Sequence, residues 1–133
     1  SIMQVFIAYL QESFPSVSFY YGDINKNDNK CIGIYIKDSL KPVIALGGPQ
    51  NNSYNIIPIR LLIHWTESAF ECDNQALLVY NFILNLCNVY YNEKRFISTQ
   101  MLDPYPIMIG RAENNICESV VRFNLIYEKG GNI

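Results

Sequence analysis

The stretch Ile56-Ile57-Pro58-Ile59-Arg60-Leu61-Leu62-Ile63-His64-Trp65 carries the clearest structural pattern in the chain. Its odd positions, Ile57, Ile59, Leu61, Ile63 and Trp65, are all apolar, whereas its even positions include Pro58, Arg60 and His64. Successive strand side chains point to opposite faces, so this is a strand with one strongly buried face. Pro58 has no ladder donor, which places that end of the strand at a sheet edge or a bulge.

Moving toward the C-terminus, Ser68-x-x-Glu71 has the spacing of a capping box, in which hydroxyl and carboxylate each satisfy an orphan backbone donor. Apolar residues at 77, 80, 84, 87 and 91, widened by Ala76, Val79, Ile83 and Leu86, predict a long helix from Ser68 to about Tyr91. Arg95 to Leu102 reads as a strand, Asp103-Pro104-Tyr105-Pro106 breaks it, and Ile107 to Ile109 resumes extended pairing before Gly110. Asn114-Asn115 is a turn. Glu118 to Glu128 then alternates, with Val121, Phe123, Leu125 and Tyr127 on one side and Glu118, Arg122, Asn124 and Glu128 on a wet face.

Toward the N-terminus, Gly47 to Tyr54 reads GGPQNNSY, a loop whose backbone calls for unusual torsions. Before it, Cys31 to Lys37 and Pro42 to Leu46 flank Asp38 to Lys41 in the manner of an antiparallel hairpin. Asn25 to Lys30 is a polar, exposed turn, and Val17 to Tyr21 alternates as a strand. Ile2, Phe6, Tyr9, Leu10 and Ser13 fall at helical spacing, and Phe14-Pro15 ends that helix at about residue 13. The order contains no strict strand-helix alternation and no repeat. The expected class is α+β, a mainly antiparallel sheet with an N-terminal helix and one long helix packed on one face.

At 133 residues the chain suits a single domain, 1–133, large enough for a core of its own. Ten Lys and Arg against twelve Asp and Glu leave a net charge of −2 with no basic run, which argues against an electrostatically driven nucleic-acid binder. No apolar run approaches the roughly 20 residues of a membrane span, and Ile2 to Leu10 lacks the basic flank of a secretory signal. Cys31, Cys72, Cys87 and Cys117 form no C-x-x-C pair, and His64 is the one histidine, so neither a metal nor another cofactor is expected. Isolated cysteines in so apolar a chain read as small buried hydrophobes of a reducing compartment.

The same search finds no catalytic residues. His64 shows no sequence sign of a nucleophile to serve. Gly47-Gly48-Pro49 lacks the Lys-Ser/Thr continuation of a phosphate loop. Glu67, Glu71 and Asp73 suit the first turn of the long helix, where carboxylates complement its dipole. Ten Tyr and seven Phe exceed what one core of this size buries, and exposed tyrosines suit protein interfaces. The candidate interface residues are therefore Gly47, Gly48, Pro49 and Tyr54 in one loop, and Tyr105, Arg111 and Glu113 in the stretch from Pro104 to Glu113. The outer flank of the long helix is a second candidate patch.

CIGIYI at 31–36, LGGPQNNSYNIIPIRLLIHW at 46–65, the helix start TESAFE, and QMLDPYPIMIGRAENNICESVVRFNLIYEK at 100–129 resemble a family of small phage minor capsid proteins. The resemblance covers nearly the whole chain. The element order is also similar to the tail-terminator proteins of long-tailed phages. This resemblance implies a structural virion protein, assembled in the bacterial cytoplasm, that forms a typically hexameric ring at the head-tail junction. Its partners would be copies of itself, the tail-tube protein and the head connector, with DNA only passing through the lumen and no membrane involved. The other readings are a non-catalytic interaction domain of another cytoplasmic or phage complex, and a small hydrolase or nuclease.

Overall fold

The computed structural model describes residues 1–36 and 53–129. Helix α1 (Ile2–Ser13) is followed by β1 (Ser18–Tyr21), β2 (Cys31–Ile36), β3 (Tyr54–His64), α2 (Ala69–Leu84), β4 (Cys87–Tyr91), β5 (Lys94–Met101), β6 (Ile107–Arg111) and β7 (Cys117–Glu128). The class is α+β, with two helices and a mostly antiparallel sheet among the described residues. The expected strand at 42–46 and most of the 47–54 loop lie outside the described residues. Tyr54, expected in that loop, is the first residue of β3.

Strand order is β1-β2-β3-β7-β5-β4, with β6 pairing the first half of β7. The stretch from Ile56 to Trp65 lies at the centre: β3 runs antiparallel to β2 on one side and to β7 on the other. Ile59, Leu61 and Ile63 are buried together with Val121, Phe123 and Leu125 of β7, so the odd-numbered face is the core face. Pro58 lies opposite Asn124 of β7, one position beyond the last described rung between β2 and β3, Ile36 with Ile59. Its missing donor therefore deprives no described rung between β2 and β3 of a hydrogen bond.

Helix α1 starts with a complete capping box, Ser1 and Gln4 satisfying each other's backbone N–H groups. It buries Met3, Phe6 and Leu10. The Phe6 ring meets Phe96 edge-on at 5.2 Å and Phe123 at 6.2 Å, which brings α1, β5 and β7 into one core. Helix α2 buries Cys72, Ala76, Val79, Tyr80 and Ile83 in the same cluster. Thr99 on β5 donates to the Ile83 carbonyl, fixing the last turn of α2 against the sheet.

Four sequence expectations are corrected. The capping box at α2 is only half formed: Glu71 N–H donates to Ser68 Oγ, but the Glu71 carboxylate accepts from Thr66 Oγ1, and that hydroxyl takes the Ser68 N–H in its place. The long helix ends at Leu84, and Cys87 to Tyr91 form β4. There Val89 and Tyr91 pack on the core while Tyr90 is exposed, so period-two alternation wins over helical spacing at 84, 87 and 91. Of the expected stripe within α2, Tyr80 is buried and Leu77 half-buried but Leu84 faces solvent, while the residues expected to widen it, Ala76, Val79 and Ile83, are all buried. Finally, the second face of β7 is not uniformly wet, because Val120 is buried and Glu118 largely covered.

No periodicity or motif indicates that β1 and β2 are parallel, as they are. Residues 22–30 make the return, and they are tied down: Tyr20 donates to Asp28, and Lys30 N–H donates to the Trp65 carbonyl. Ile24 of this segment lies over Gly33 so closely that a Cβ there would sit 2.7 Å from the Ile24 side chain. The segment thus covers one side of the sheet's second face.

All four cysteines are free, with Cys31, Cys72 and Cys117 buried and Cys87 exposed. Burial, with Asp28 and Glu118 nearby, pushes the Cys31 thiol up to about 11. A thiol titration near pH 8 is expected to find one fast group in the native protein and the other three only in denaturant. A Cys87→Ser variant that kept a fast thiol would contradict this burial pattern.

Candidate functional site

Four of the candidate interface residues fall among the described ones, and they do not form one patch. Tyr54 is half-buried opposite Glu128, at one end of the β3-β7 ladder. Arg111 and Glu113 lie beyond the other end, where Arg111 pairs with Cys117; ten residues of β3 separate the ends by about 33 Å. Tyr105 is 63% exposed on the Asp103–Pro106 break. Gly47, Gly48 and Pro49 lie outside the described residues.

Arg111 does not pair with Glu113 among the described residues. Its Nη1 donates to the carbonyls of Glu67 and Asn115, at 2.8 and 2.9 Å, tying the end of β6 to the start of α2 and to the Glu113–Asn115 turn. Gly110 just before it has φ of +112°, at the irregularity where the β6 register slips against β7. A side chain there would be strained, so a glycine allows the bulge that turns Arg111 toward α2.

The second face of the sheet, opposite the core face, carries rows of side chains that sequence alone did not bring together. In one row Cys31, His64 and Glu118 stand directly across β2, β3 and β7. His64 is fully buried, its Nδ1 lies 2.7 Å from Glu118 Oε2, and its Nε2 has no partner. The row has the residue types of a thiol triad without its chemistry. The Cys31 thiol stays protonated, and it makes no hydrogen bond to the imidazole that would have to take its proton. What the row does is fasten β3 to β7 through a hydrogen bond shielded from water.

Below this row the face dips into a hollow of about 360 Å³, floored by Leu62 and Val120 and walled by Tyr35, Ile36 and Ile109. Arg60 and Glu118 supply its two charged groups. Arg60 is exposed, forms no ion pair among the described residues, and stands directly across from Arg122. The Arg122 guanidinium is already matched, donating to both oxygens of Asp103 at 2.9 and 2.7 Å. Those bonds hold the Asp103 carboxyl below its ordinary 3.8. A lowered carboxyl value contributes stability that is present above pH 3.8 and is lost as pH falls through the folded value. Acid titration is therefore expected to show Asp103→Asn less stable than the parent at neutral pH, with the gap closing below about pH 4. A gap independent of pH would show that the pair contributes nothing electrostatic.

Two exposed apolar surfaces complete the inventory. On α2, Phe70 is 84% exposed, Leu78 60% and Leu84 50%, interleaved with Asn74, Asn81 and Asn85. From Asn74 to Asn85 this flank carries no charge. On β6, the consecutive residues Ile107, Met108 and Ile109 are all exposed. The sequence pointed to both regions, but not to Phe70 or to the hollow, which exists only because register sets Leu62 beside Val120.

No group of His, Cys, Asp and Glu able to hold a metal occurs among the described residues, and none of their helices is long and apolar enough to cross a membrane. In the comparisons with known proteins, no family model, no curated protein and no solved structure matches the chain.

Proposed function

We propose that this chain is a structural virion protein of a phage or prophage, of the minor-capsid and tail-terminator kind. It forms a ring at the head-tail junction that ends growth of the tail tube and docks the head. No bond is made or cut in this role. The proposal includes a tail-terminator-like arrangement, with both helices laid on one face of the sheet, and tail-tube and head-connector proteins as partners.

The observation that carries the reading is the pair of exposed apolar surfaces, on the outer flank of α2 and on β6. Several large apolar side chains exposed on one element suit contact with other proteins. Because the two surfaces differ from each other, they suit head-to-tail repetition, and a cyclic assembly beyond a dimer is built from such non-identical contacts. The sequence blocks that resemble phage minor capsid proteins supply the biological setting.

Electron microscopy of the purified chain tests it. Closed rings with an open centre are expected, of one diameter at every protein concentration. Single subunits that instead join a larger complex through the same surfaces would favour the interaction-domain reading and overturn the ring.

A further inference from the structure

Resting on that ring reading, we propose that successive copies join knob to socket: Phe70 of one copy enters the Leu62–Val120 hollow of the next. The knob is the most exposed large hydrophobic side chain among the described residues, at 84%, and sits in the first turn of α2. The socket has an apolar floor and a volume of about 360 Å³, room enough for an aromatic ring and part of its surroundings. An aromatic side chain buried at the centre of a contact is the usual energetic anchor of an interface.

Charge identifies the occupant as a second copy. Glu67, Glu71 and Asp73, all exposed, surround Phe70. Arg111 is the cation bonded there, and it is held on two backbone carbonyls. The socket shows the opposite imbalance. Arg60 on its rim faces Arg122 across the ladder, and the neighbouring Asp103 is already taken by Arg122. Like charges directly opposite destabilise a sheet, so among the described residues this face is short of one carboxylate. The acids around Phe70 of a neighbouring copy supply it at the moment the ring enters the hollow. Glu118, the socket's own carboxylate, is committed to His64.

The knob lies on a helix and the socket on the sheet's second face, so the contact is head to tail and each copy carries one half of each kind. That makes complementation the decisive test. Phe70→Ser spoils only the knob and Arg60→Glu only the socket. Each variant alone is expected to keep the parent's melting temperature and to associate at least about thirtyfold more weakly in sedimentation velocity. An equimolar mixture is expected to form one-to-one dimers and nothing larger, because one good knob meets one good socket. Parent assemblies that neither substitution weakens would overturn this contact and leave the ring standing. Sensitivity to both substitutions in a parent that forms open filaments would support the contact and overturn the ring. A mixture that stays monomeric while the parent assembles would overturn the contact, and a parent monomeric at every concentration would overturn both.

Discussion

Phe6→Ala is expected to lower the free energy of unfolding by about 3–5 kcal/mol, measured by urea denaturation at neutral pH. Phe6 is fully buried, and its ring meets Phe96, Phe123 and Tyr9, so the substitution opens a cavity where α1 joins the sheet. Neighbours collapse poorly into such a gap when they are themselves large rings fixed by β5 and β7. Phe6→Leu is expected to recover a large part of the loss by refilling the volume. A loss below about 1 kcal/mol for the alanine variant would mean that α1 contributes little to the core.

The second large effect concerns the polar row. Glu118→Ala is expected to cost about 2–3 kcal/mol, because it leaves both nitrogens of the fully buried His64 without a partner. Replacing the pair together, His64→Leu with Glu118→Ala, is expected to cost less than the two single changes added, since no imidazole then remains to be satisfied. Strictly additive losses would show that the 2.7 Å contact carries no coupling. The same variants separate a structural row from a catalytic one, because a structural row changes stability in proportion to the bond lost.

The core face of β3 was legible because one buried side imposes period two on five successive odd positions, and the same logic gave β7. The first helix was legible down to its last residue, since Phe14-Pro15 forbids its continuation. The end of α2 was not. Cys87 and Tyr91 continue the helical spacing of Leu84, yet they equally satisfy strand alternation with Val89, and nothing local distinguishes the two. The structure resolves the ambiguity through Asn85 as the cap and Asn88 at φ +49°, a left-handed conformation that asparagine tolerates.

The polar row and the socket were illegible for a different reason. His64 and Glu118 are 54 positions apart, and Arg60 and Arg122 meet only through the β3-β7 register. Sequence showed each as an isolated polar residue on an outer face. The parallel β1-β2 pair was hidden because its short return depends on Gly33 admitting Ile24, a contact between residues that no periodicity connects. For the proposed interface, the sequence pointed to the stretches that hold the exposed apolar residues and to Arg111 for its charge; the Arg111 guanidinium donates to two carbonyls of its own chain.

The proposed ring requires copies of this chain to hold one another through surfaces that differ from each other. Native mass spectrometry of the unmodified protein tests it most directly. The predicted result is a single closed multiple of 15.3 kDa, sixfold for a hexamer, that does not grow as concentration rises. A mass of one subunit at all concentrations would contradict it.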